Sequence, residues 1–137
     1  MAAMSALWID ISQPMVRTVL ACGDREWSDA ATIRHELQEL RAAGATVLVH
    51  GAARGADSLT ADVGGRLGYM VRAFPADWAH YGRAAGPRRN AQMLTEGRPD
   101  LVLAFHDFLD QSRGTADMVR RARDAGVRVR VVRSAQR

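Results

Sequence analysis

The sequence predicts an α/β fold, a doubly wound and mainly parallel sheet of about five strands with helices on both faces. Three features of the 137 residues carry that prediction. Short apolar runs rich in β-branched residues alternate with amphipathic stretches of helical period. Gly, Asp and Pro stand at the junctions between them. The chemically loaded segments all follow the ends of predicted strands, where sheets of this kind hold their ligands.

Val16 to Cys22 reads as a buried first strand, and Asp29 to Ala43 as a helix with Ile33, Leu37 and Leu40 on one face. Asp29 suits the N-cap and Gly44 the C-terminal stop. Thr46–His50 is the second strand, Gly51–Asp57 a loop, and Ser58–Leu67 a helix ending before Gly68. Tyr69–Phe74 is the third strand, closed by Pro75, and a long connection follows. Pro87 fits the first turn of a helix running to Glu96. Leu101–Phe105 is the fourth strand. A helix from Gly114 or Thr115 to Ala125 turns Met118, Val119 and Ala122 inward, and Gly126 ends it. Val127–Val132 is the fifth strand, and its interleaved arginines put it at a sheet edge.

With no repeat, linker or low-complexity tract, residues 16–137 read as one domain behind an extension of residues 1–15. That extension lacks a basic n-region and is too short to span a bilayer, so a cytoplasmic protein without a membrane anchor is expected. The lone Cys22 excludes an intramolecular disulfide, in keeping with a reducing compartment. All 19 basic side chains of the Lys+Arg count are Arg, a skew that a GC-rich coding background explains as well as selection does. Its consequence is a supply of planar, permanently charged forks suited to phosphate. The net charge of +4 permits contact with nucleic acid without requiring it, because 15 acids interrupt the positive charge.

Phe74 to Met93 is the most informative stretch, with one acid, three aromatics, three arginines and an asparagine between a strand and a helix. In it, Asp77 and Asn90 suit sugar or base edges, Trp78 a stacked ring, and Arg88 and Arg89 phosphate. Cations in the first turn of a helix oppose the macrodipole, which favours an anion-binding role for that arginine pair. Gly51-Ala52-Ala53-Arg54-Gly55-Ala56-Asp57 opens a helix directly after a strand, an arrangement that receives anions. The same turn is also a common tight connection, and Asp57 equally suits an N-cap. Gly114-Thr115 repeats the pattern, with the Thr hydroxyl either a cap or a ligand contact. Gly23 and Arg25 follow the first strand. These four loops are expected to converge on one rim.

Trp27 and Trp78 are each either stacking or rim-packing residues. His50 and His80 are candidates for acid–base work and equally for structural hydrogen bonds, while His35 is expected to be an exposed helix residue. Cys22 reads as a small buried residue. No metal-ligand spacing appears, and neither a metal nor a cofactor is expected.

The chain resembles the SLOG superfamily, specifically its YspA/YpsA-like branch. The resemblance rests on Gly23, Arg25 and Trp27 after the first strand, His50 to Asp57, Pro75 to Trp78, Gly82 to Asn90 with Met93, and Gly114 to Val119. It implies a Rossmann-like, three-layer α/β/α domain that binds nucleotides or nucleotide-derived ligands, commonly as a homodimer. The superfamily also holds LOG-type phosphoribohydrolases, which cleave N-glycosidic bonds, and DprA-type proteins, which bind single-stranded DNA. The LOG pattern pairs an Arg-Lys helix start with Pro-Gly-Gly-x-Gly-Thr-x-x-Glu. Here Arg89 matches the Arg, Asn90 replaces the Lys, Met118 occupies the Glu position, and Gln111-Ser112-Arg113 replace Pro-Gly-Gly. Arg89, Asp117 and Asp77 are therefore the candidate catalytic residues. The expected function is nucleotide binding by a sensor or ligand-processing module. A LOG-type N-glycosidase and a single-stranded DNA binder are the alternatives.

Overall fold

A computed structural model describes residues 15–135, so the first 14 residues of the expected extension, Trp8 included, lie outside the described residues. In chain order the elements are β1 (Thr18–Gly23), α1 (Ala30–Ala42), β2 (Val47–His50), α2 (Ala56–Arg66) and β3 (Met70–Ala73). They continue as α2's successors α3 (Trp78–Tyr81), α4 (Ala85–Gly97), β4 (Leu101–Phe105), α5 (Gly114–Asp124) and β5 (Arg128–Val132). Single 3₁₀ turns cover Gly82–Ala84 and Leu109–Gln111.

The strands form one five-stranded sheet in the order β3-β2-β1-β4-β5, and every pairing is parallel. Alternation along β1 divides the core in two. Val19 and Ala21 point into one cluster with Ile33, Leu37 and Leu40 of α1 and Val63 of α2. Leu20 and Cys22 point the other way, into a cluster with Met93 of α4 and Met118, Val119 and Ala122 of α5. The result is the expected Rossmann-like α/β/α sandwich, with β4 buried throughout and β5 at an edge.

Local chemistry explains the boundaries. Asp29 caps α1 by accepting from the Thr32 amide at 3.1 Å, a bond worth about 1 kcal/mol. Gly44, with φ 114°, supplies the left-handed residue beyond the helix. β1 starts two residues later than the apolar run predicts. The amides of Arg17 and Thr18 both donate to Asp100 Oδ2 at 3.0 Å, so a side chain, not a strand, receives the chain there. β3 starts at Met70 rather than Tyr69 because the Tyr69 amide still donates to Gly64 O of α2. The connection after β3 is more ordered than the sequence predicts, since it contains α3, and α4 begins two residues before Pro87.

A candidate ligand cleft at the carboxyl ends of the strands

The chain runs outward from β1 to β3 on one side, then returns to add β4 and β5 on the other. The order reverses between β1 and β4, and the loops leaving those two strands part at this point. An open cleft of about 950 Å³ lies there, and a smaller hollow of about 280 Å³ adjoins it. Arg25, Ala53, Arg54, Trp78 and Arg89 border both. The four loops singled out from sequence do converge.

Of the residues singled out from sequence, Gly23, Arg25, Arg54, Asp57, Trp78, Arg89, Asn90, Gly114, Thr115 and Asp117 line the large cleft. Gly51 and Ala52 line the adjoining hollow. Asp77, Arg88 and Gly55 line neither. Asp77 is the N-cap of α3, accepting from the His80 amide at 3.1 Å. Arg88 lies over the Tyr81 ring, 4.0 Å from its centroid, because it is one helical position away from Arg89 and faces elsewhere. Gly55 has φ 72° and lies so close to the Arg25 and Asp24 backbone that a side chain there would collide with it. Its task is to let the loops after β1 and β2 touch, a contact sealed by the Ala56 amide donating to Asp24 O at 3.0 Å.

Asp57 does not cap α2; the residue before the helix is Gly55, with no side-chain cap. The Asp57 carboxylate folds back over the loop, and its Oδ2 accepts from the Gly51 amide at 3.1 Å and the Ala53 amide at 3.3 Å. Burial raises its pKa from 3.8 to about 6, against the lowering effects of the Ala53 amide, Arg89, the Gly51 amide and Arg25. Arg89 crosses the same floor. Its Nη1 donates to the Gly51 carbonyl and its Nε to Asn90 Oδ1 at 3.1 Å. Burial lowers the Arg89 pKa, and the Asp57 charge counters that effect.

Asn90 is buried and fully engaged. Its Nδ2 donates to Gly114 O at 3.2 Å and to Asp117 Oδ2 at 3.0 Å, tying α4 to the start of α5. Asp117 also accepts from Arg120 at 2.6 Å and from Arg121 at 2.8 Å. At the rim, Arg54 pairs with Glu26 at 2.6 Å, an exposed contact worth about 0–1 kcal/mol. Arg25, Arg83 and Arg113 also line the cleft, and none of them pairs with a carboxylate among the described residues.

The two tryptophans diverge. Trp27 is a core residue, since its Nε1 donates to Asp29 O at 3.0 Å and its ring tilts against Phe105. Trp78 is 49% exposed, with the Arg25 guanidinium 5.6 Å from its ring centroid. His50 closes β2 by accepting the Ala52 amide on Nδ1, and burial holds its pKa below 6.5. Burial pushes the Cys22 thiol pKa up, which disfavours the thiolate that a nucleophile needs.

Two comparisons decide the kinship. The YspA, cpYpsA-related SLOG family matches residues 17–81. The chain is also similar to the Gene 61 protein of Mycobacterium phage D29, at 38% identity over 125 residues, covering 83% of this chain and 94% of that one. The chain belongs to the YspA, cpYpsA-related SLOG family.

Within this SLOG chain, Met118, where the LOG pattern would put its glutamate, is fully buried in the core. Neither Asp117, held by three donors, nor Asp77, outside the cleft, takes over as a free carboxylate. Among the described residues, no group of three or more His, Cys, Asp or Glu is placed to hold a metal ion. No helix among them is long and apolar enough to cross a membrane.

Several cleft residues of this SLOG chain escaped the sequence reading. Ser112 is the true cap of α5, its Oγ accepting from the Thr115 amide at 3.0 Å and the Ala116 amide at 3.4 Å. A serine two residues before the helix is a readable signal. Arg83, Arg120 and His106 also line the cleft. His106 follows β4 directly and, like His50 at the end of β2, accepts on Nδ1 the amide two residues further along the chain.

Proposed function

We propose that this SLOG chain binds a nucleotide or nucleotide-derived ligand in the cleft where β1 and β4 diverge, as a sensor or ligand-processing module. One observation supports this most: Arg25, Arg83 and Arg113, which form no salt bridge with a carboxylate among the described residues, line the same cleft as the half-exposed Trp78. Arginines of that kind attract phosphate, and the indole offers a face to a base. Arg89, Asn90 and Asp57 form the floor and hold the loops in place. A homodimer in the cytoplasm belongs to the same reading.

The arrangement favours binding over LOG-type hydrolysis. An oxocarbenium-like transition state needs a carboxylate free to stabilise it, and neither candidate acid supplies one.

The test is native mass spectrometry of the purified protein for a retained nucleotide, followed by calorimetry with nucleoside mono- and diphosphates. Saturable binding of one nucleotide per chain is expected. Incubation with the same panel, assayed for free base, checks turnover, and a single-stranded oligonucleotide competitor checks the DNA alternative. No retained nucleotide and no heat at millimolar concentration would overturn the proposal.

A further inference from the structure

His106 follows β4 directly, is 9% exposed, and lines the large cleft. Its Nδ1 accepts the Phe108 amide at 2.9 Å, so that nitrogen carries no proton. In the neutral ring the proton is then on Nε2, and the bond to the Phe108 amide is the one side-chain hydrogen bond His106 makes among the described residues. Asn or Asp closes such a two-residue turn equally well, so the turn alone does not call for an imidazole. What the imidazole adds is a second nitrogen beyond the turn. His50 provides the internal comparison: it makes the same bond, to the Ala52 amide at 3.0 Å, but borders neither cavity.

We propose that His106 is a ligand-contacting residue, its ring locked by the Phe108 amide so that Nε2–H donates to a phosphoryl oxygen held between β1 and β4. The inference rests on the nucleotide reading of the cleft. The setting suits that acceptor, for Arg113 and the start of α5 border the same cleft. Gly23 lets the end of β1 pack tightly against the end of β4 and the start of α2, because a side chain there would collide with the Phe105 carbonyl and with Ala56. Gly23 and His106 both line the cleft.

The test combines calorimetry with nitrogen NMR on uniformly nitrogen-labelled protein, using inorganic phosphate and adenosine 5′-monophosphate as probes. Nδ1 of His106 is expected to show the unprotonated shift before any probe is added, and Nε2 to move on titration. H106N, whose shorter carboxamide still accepts the Phe108 amide, is expected to weaken binding about tenfold. H50N is expected to leave affinity unchanged. If wild-type amides around Gly114 respond to the probes while His106 Nε2 does not, or if H106N binds as tightly as wild type, the inference falls and the nucleotide reading survives. If neither probe moves any cleft resonance, both fall together.

Discussion

The Arg89 guanidinium donates through Nη1 to the carbonyl oxygen of Gly51, joining two segments 38 residues apart in the chain. This bond holds the turn after β2 against the start of α4, and Asp57 holds the same turn from beneath. The turn has little room to relax. Ala52 has φ 58°, a conformation that L residues rarely adopt and that surrounding contacts must maintain.

Gly51→Ala tests that clamp. A Cβ at this position would run into the Arg89 guanidinium and Asp57 Oδ2. Overpacking of this kind costs about 1–3 kcal/mol. A lowered urea midpoint with an unchanged denaturant slope is expected. A midpoint equal to wild type would show that Arg89 moves aside freely and that the clamp is not a constraint.

The pH dependence of stability tests the burial of Asp57. Its pKa is raised from 3.8 to about 6, so between those values the folded state keeps a proton that the unfolded state releases. Stability from this group therefore falls as pH rises from about 4 to 6 and stays reduced above, by about 3 kcal/mol in all. Asp57→Asn removes the ionisation while its carbonyl still accepts the loop amides. His50 slopes the opposite way below its ordinary 6.5, because burial opposes its charging. The difference between variant and wild type across pH 4–7 isolates Asp57, and parallel profiles would refute the assignment.

How much of this was legible from sequence depends on how far each interaction reaches along the chain. Asp29 caps α1 through Thr32, three residues on, and its role follows from local pattern. Leu101–Phe105, wholly apolar, could be read as a strand with these bounds for the same reason. Asp57 stands equally near a helix start, yet the positive φ of Gly55 and the approach of Arg89 turn it back on its own loop. Neither is visible locally. Arg88 and Arg89 differ only in helical phase, and the Ala and Gly around them give too weak an apolar stripe to set it. Trp27 was ambiguous because its ring partner, Phe105, comes from a distant strand.

Arginine substitutions separate the cleft from its surroundings. Arg83 and Arg113 are exposed, line the cleft and support no ion pair among the described residues. Replacing either with Ala should leave stability within about 0.5 kcal/mol of wild type. Each should lose about tenfold or more in nucleotide affinity, the worth of one charge-assisted bond. Arg88→Ala, which removes a guanidinium stacked on Tyr81 outside the cleft, should leave affinity unchanged. Calorimetry on the three variants decides, and equal losses from all three would mean that general positive charge, not the cleft, attracts the ligand.

Asn90→Asp tests whether this position builds the site or serves the ligand directly. The amide of Asn90 donates to both Gly114 O and Asp117 Oδ2, and its carbonyl accepts from Arg89. An aspartate keeps the shape and the acceptor but loses both donors, and it sets a second carboxylate against Asp117. Losing a buried donor costs about 1–3 kcal/mol, and the like charge adds to that. The variant should therefore unfold at lower urea at neutral pH and recover part of the loss as acid protonates one of the paired carboxyls. Asn90→Ala removes the donors without adding charge, so its deficit should show no such recovery. If the two variants share one pH profile, Asp117 is not the partner that matters, and the junction of α4 with α5 rests on the Gly114 bond alone.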